Sequence, residues 1–183
     1  MESKDPDEAL VERSRAGDRA AFAALVTRYQ RPVYNAAYRV LGNAEDAADV
    51  SQAVFLRIAE KLDDYDPQYK FFSWVYRIAV NMALNSRRGQ DHVRPIDDEE
   101  DFPDSERADP EWQLRSAQLA GQVQKALMTL TVDDRVVLTL RHFQDLSYRE
   151  IGQVLEIKEK TVKSRLFEAR QRLRELLQFT QAA

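Results

Sequence analysis

Apolar side chains recur at helical spacing along most of this 183-residue chain, and no stretch shows the two-residue alternation of a half-buried strand. Glu8 to Ala16 is predicted as a short helix stopped by Gly17, after which Asp18, a good N-cap, restarts the helical pattern. Phe22, Leu25, Val26, Tyr29, Val33, Ala36, Ala37, Val40 and Leu41 form the stripe of a long helix that ends at Gly42-Asn43, with a kink expected at Pro32. A third helix spans Glu45 to Leu62 and is ended by Asp63-Asp64-Tyr65-Asp66-Pro67. A fourth runs from about Phe71 to Arg88 and finishes on Arg87-Arg88, where cations suit the helix dipole. Four such helices predict one small bundle.

From Gly89 to about Pro110 the periodicity disappears. This stretch is acidic, holds Pro103 and Pro110, and offers almost nothing to bury, so it reads as an exposed linker. Helical spacing resumes from Glu111 to Met128, and Thr131 can cap a further helix reaching Phe143. The expected fold is therefore all-α: two small helical domains, 1–92 and 112–183, joined by an acidic flexible linker over 93–111.

The C-terminal domain contains the most informative stretch, Leu146 to Leu173. Ser147 followed by Glu150 is a capping box that starts a short helix with Ile151, Val154 and Leu155 on one face. The pattern breaks at Leu155-Glu156-Ile157-Lys158, then Val162, Leu166, Ala169, Leu173 and Leu176 resume it. Two short helices joined by a tight turn read as a helix-turn-helix, the second helix entering the major groove. Its outer residues, Lys160, Thr161, Lys163, Ser164, Arg165, Phe167, Arg170 and Arg172, are suited to phosphates and base edges. Glu156 falls where such turns often need a positive φ, at some conformational cost.

Composition narrows the chemistry. No Cys is present and the two histidines, His92 and His142, are far apart, so no disulfide, thiolate metal site or clustered metal ligand set is expected. The five glycines form no phosphate-cradling loop, leaving no cofactor site and little basis for enzymatic catalysis. The acidic start MESKDPDEAL is no signal peptide and no apolar run could span a bilayer, which predicts a cytoplasmic protein without membrane insertion. A net charge of −4 looks unfavourable for nucleic-acid binding until it is divided: residues 97–111 hold nine acidic side chains and one basic, whereas 112–183 hold twelve basic and eight acidic. DNA feels the local basic face rather than the total.

Three blocks together resemble the group IV, or extracytoplasmic-function, sigma factors of bacterial RNA polymerase. They are GDRAAFAALVTRYQRPVY followed by EDAADVSQAVFLRIAEKL, then KFFSWVYRIAVNMALNSRR, then LSYREIGQVLEIKEKTVKSRLFEAR. The resemblance implies a promoter-specificity subunit. Asp49, Gln52 and Phe55 would dock on the β′ coiled coil of core RNA polymerase. Lys70, Arg77, Asn81 and Arg88 would act at the minus-10 promoter element, and Lys160, Thr161, Lys163, Ser164, Arg165, Phe167 and Arg170 at the minus-35 element. It further implies regulation by an anti-sigma factor. Read from the residues alone, Phe55 is core with Asp49 and Gln52 solvated, Arg165 could pair with an acid of its own domain, and Phe71 and Trp74 are expected to pack. Ala53 and Glu168 depart from the acidic and basic residues usual in the family. The alternative function is a stand-alone helix-turn-helix regulator that binds duplex DNA without polymerase.

Overall fold

The computed structural model describes residues 5–88 and 110–181. Most of the expected linker lies outside the described residues. Among those described, every regular element is helical: α1 (Asp7–Arg15), α2 (Arg19–Leu41), α3 (Ala44–Lys61), α4 (Phe71–Arg88), α5 (Pro110–Thr129), α6 (Val132–Leu138), α7 (Tyr148–Leu155) and α8 (Glu159–Gln181).

Local chemistry sets the boundaries. The Asp18 carboxylate accepts from the Ala20 and Ala21 amides at the start of α2, and Gly42 ends that helix in a left-handed conformation at φ 76°. Between these caps α2 continues through Pro32 as one helix. Asn43 caps α3 and Thr131 caps α6. α1 is tied to α2 by Asp7, whose carboxylate accepts from the Arg28 guanidinium and the Tyr29 hydroxyl. Burial, reinforced by that carboxylate, raises the Tyr29 pKa far above its ordinary value.

The first bundle, α1 to α4, encloses Leu10, Val11, Leu25, Val33, Val54, Ile58, Phe71 and Val75. An aromatic group anchors the loop between α3 and α4. Phe71 meets Tyr29 and Tyr65 edge-on at centroid separations of 5.6 and 5.3 Å, and Trp74 leans on Tyr65 at 5.6 Å. Arg15 closes the loop from outside, donating to the carbonyls of Leu62 and Tyr65 at 2.8 and 2.6 Å. The second domain buries Leu127, Val137, Leu140, Ile151, Val154, Val162, Leu166 and Ala169.

The helix predicted from Thr131 to Phe143 is interrupted. α6 ends at Leu138 and the backbone widens into a π-helical turn over Thr139–Phe143, in which the Gln144 amide reaches the Thr139 carbonyl at 3.2 Å. The wider turn meets the first domain: the Arg39 guanidinium lies 3.9 Å from the Phe143 ring centroid. Burial lowers the Arg39 pKa to about 10.

The two domains pack directly on one another. Val136, Thr139 and Leu140 lie against Ala36, Ala37, Val40, Val80 and Ala83. Arg135, 1% exposed, donates to the Val40 carbonyl at 2.7 Å, and Gln124 donates to the Tyr38 carbonyl at 3.1 Å. Nearer the helix-turn-helix, α7 packs on α4.

Candidate nucleic-acid interface

The helix-turn-helix is built from α7, its turn and α8. Ser147 and Glu150 form the predicted capping box: the Ser147 amide donates to the Glu150 carboxylate at 2.8 Å and the Ser147 hydroxyl accepts from the Glu150 amide at 3.3 Å. Glu156 ends α7 in the left-handed region at φ 55°, as its position suggested. The Ile157 amide then bonds back to the Gly152 carbonyl at 3.0 Å. Gly152 is buried against this turn and was not singled out from the sequence, although an isolated glycine inside a helical pattern is itself a sign of close backbone approach.

α8 buries Val162, Leu166 and Ala169 completely. The opposite stripe carries Lys160, Lys163, Ser164 and Phe167, all exposed, Phe167 at 62%. These four share one face at helical spacing, as a groove-facing surface requires. The other expected minus-35 residues sit on its flanks. Thr161 is half-buried, Arg165 points to Asp133 at 3.6 Å within its own domain, and Arg170 donates to His142 at 3.1 Å. Arg172 locks α8 to α6 through Asp134 at 2.5 Å, and it also holds Glu168 at 3.2 Å. Glu168 itself stays exposed beside the stripe. Burial, with Arg170 and Arg141 nearby, lowers the His142 pKa, so this imidazole is neutral at physiological pH.

The first domain presents a second cationic region around α4. Lys70 precedes the helix with its side chain exposed, Arg77 is half-buried one turn after Trp74, and Asn81 is exposed a turn further on. Arg88 ends α4, its side chain outside the described residues. A cavity of about 330 Å³ opens beside these residues. Tyr65, Tyr69, Ser73, Trp74 and Arg77 line it from the first domain, with Asp64 and Asp66; Gln153 and Glu156 of α7 line it from the second. Ser73 is 4% exposed and its hydroxyl has no hydrogen-bond partner. Phe71 is buried as expected, whereas Trp74 is only partly packed and contributes to the cavity wall.

On α3, Asp49 and Gln52 are exposed and share a face, but Phe55 is partly buried against the core. The exposed apolar residue completing that face is Leu56, at 68%. Its spacing of i+4 from Gln52 and i+7 from Asp49 is the sequence signal that points to it.

A cationic groove-facing helix in one domain and an aromatic-lined cavity in the other, where Arg77 stands among Asp64, Asp66 and Glu156, belong to an all-α, two-domain DNA-binding protein. The models of sigma-70 region 2 and sigma-70 region 4 match residues 25–93 and 120–173. The chain is 33% identical to the RNA polymerase sigma-H factor of Pseudomonas aeruginosa over 97% of both chains. It is 35% identical to the ECF RNA polymerase sigma-E factor of Escherichia coli, covering 93% of this chain and 94% of that one. With the ECF sigma factor SigW of Bacillus subtilis it shares 31% identity over 91% and 94% of the two chains. The solved structure of CnrH in complex with the cytosolic domain of CnrY superposes with a TM-score of 0.70 at 27% identity, covering 95% of this chain and 98% of that one. The sigma factor RpoE in complex with the anti-sigma factor NepR, from Bartonella quintana, gives 0.67 at 21% identity over 86% and 96%, a likeness of fold.

This chain belongs to the extracytoplasmic-function sigma factors of the sigma-70 family. It is a promoter-specificity subunit of RNA polymerase and not an enzyme. No helix among the described residues is long and apolar enough to cross a membrane.

Proposed function

We propose that domain 1–92 docks on core polymerase through α3 and holds the unpaired minus-10 strand, while domain 112–183 reads the minus-35 element through α8. The observation that carries this division of labour is the cavity beside α4. Its aromatic walls suit base stacking, worth about 1–3 kcal/mol per base. Arg77, the one cation among the described lining residues, faces Asp64, Asp66 and Glu156 there and suits a phosphate of the strand, and the Ser73 hydroxyl offers a polar partner. Asn81, exposed further along the same helix, supplies an amide able to pair with a base edge.

On α8, Lys160, Lys163, Ser164 and Phe167 meet the groove, Lys163 and Lys160 contributing salt-dependent phosphate affinity. Arg165 and Arg170 act from the flanks, with Thr161 beside them. The polymerase-facing surface of α3 consists of Asp49, Gln52 and Leu56, with Phe55 supporting it from below. The segment 93–111 joins the two DNA-reading domains along the polymerase. The chain acts in the cytoplasm, and an anti-sigma factor regulates it. Support for that partner comes from CnrH and RpoE, which were solved with CnrY and with the anti-sigma factor NepR.

Retention of a fluorescent duplex promoter library by the purified chain, with and without core polymerase, tests this reading. Sequence-selective retention is expected only when core is present. Selective nanomolar binding by the chain alone would instead identify a stand-alone regulator.

A further inference from the structure

We propose that the α4–α7 contact is an intramolecular latch that closes the first domain's DNA cavity while leaving the recognition helix exposed. Two ion pairs cross the domain boundary at this contact. Lys70 meets Glu150 at 2.7 Å, and Arg77 meets Glu156 at 3.2 Å. Both cations belong to the group assigned to the minus-10 strand, and both are neutralised by carboxylates of the opposite domain. Tyr76 adds a hydrogen bond from its hydroxyl to Gln144, on the far side of the same seam.

The closure extends beyond charge pairing. Gln153 and Glu156 form part of the cavity's own wall, so a DNA base entering beside Tyr65 and Trp74 meets α7. Meanwhile Lys160, Lys163, Ser164 and Phe167 remain exposed. Closed, the chain therefore presents its duplex-reading helix and withholds its single-strand cavity. Phosphates of an arriving strand would compete with Glu150 and Glu156 for the same two cations, making DNA itself an opener of the latch.

Glu156 supports a dedicated role. It occupies a left-handed turn at φ 55°, a conformation glycine adopts without strain and glutamate does not. Its carboxylate spends that strain on a partner outside its own domain. Each half-exposed pair shifts an equilibrium by no more than about fivefold, so the latch is held by both pairs on top of the apolar seam, and it opens readily.

The closure of the cavity rests on its proposed role with DNA, but the latch is tested without DNA. The chain lacks cysteine, so T27C on α2 and Q171C on α8, both exposed positions, accept a donor and an acceptor dye cleanly. Energy transfer is then followed in full-length chains carrying R77E, E156R, or both. Each single reversal places like charges together and is expected to cut the closed-to-open ratio about tenfold; the double swap restores it to within about threefold of the parent. Raising salt from about 0.05 to 0.5 M should open the parent and the swap, and matter less for the singles. Glu156→Gln, which removes the charge without repulsion, gives an intermediate ratio and serves if a reversal unfolds, as judged by helicity. Unchanged energy transfer in the single variants, or a double variant no more closed than the singles, would overturn the latch. An opened latch in Glu156→Gln with no gain in minus-10 strand binding would instead overturn the cavity assignment.

Discussion

Gly152 and Ile157 approach so closely that a Cβ on the glycine would lie 2.8 Å from the Ile157 carbonyl oxygen. The neighbour is backbone, held by the Ile157 amide's own bond to the Gly152 carbonyl at 3.0 Å, and cannot swing aside. Gly152→Ala is therefore expected to push α7 away from its turn at a cost of about 1–3 kcal/mol. A urea titration of the full chain measures it, and an unchanged midpoint would show that the turn is looser than described.

Four residues later the constraint is reversed. Glu156 carries the positive φ that glycine tolerates, so Glu156→Gly should relieve about 1 kcal/mol and raise Tm by about 2–4 °C, offset partly by loss of the exposed Arg77 pair. Differential scanning calorimetry reads the balance; a fall in Tm of several degrees would mean the pair outweighs the strain.

Glu150 gives the fold an acid-sensitive point. Burial alone would raise its pKa, but the hydrogen bonds from Lys70 and Ser147 outweigh this and hold the carboxyl below its ordinary 4.5. A carboxyl depressed on folding contributes stability that is complete above that value and is lost as pH falls through the lower folded one. Glu150→Gln should thus destabilise the chain at neutral pH and flatten the decline of its urea midpoint below about pH 4.5. A parallel decline in parent and variant would contradict the assignment.

The legible parts of this fold were those written in short-range pattern. Asp18, Thr131 and Ser147 cap helices as their side chains dictate, and the Val162-Leu166-Ala169 stripe buries as its spacing requires. What escaped depends on distant partners. The π-helical turn at Thr139–Phe143 suits a seam with α2, and no local signal in TLRHF announces it. The expected sites divided in the same way. Lys160, Lys163, Ser164 and Phe167 share an open face, Lys163 held to Glu159 of the same helix at 3.2 Å, whereas Arg165 turns to Asp133 of α6, an alternative the sequence had left open, and Arg170 turns to His142. Phe55 and Leu56 show how one residue step around a helix exchanges a partly packed side chain for an exposed one.

The α8 stripe should separate charge from shape in the assembled holoenzyme. Lys163→Ala is expected to reduce the slope of log affinity against log salt by about one for promoter duplex. Phe167→Ala should weaken selective binding while leaving that slope intact. Because the ring is 62% exposed, its removal should change stability by less than about 0.5 kcal/mol. Equal loss of affinity on every duplex sequence in the Phe167→Ala holoenzyme would remove this residue from sequence reading.

Run-off transcription is the most direct measurement of promoter selection by this chain. Core RNA polymerase, a library of promoter fragments and the full-length chain should together give discrete start sites that disappear when the chain is withheld. Asn81→Ala should reduce transcript yield from those sites by at least about tenfold while duplex retention by the holoenzyme persists. Absence of any chain-dependent start site, with a polymerase shown to be active with another sigma factor, would contradict the account.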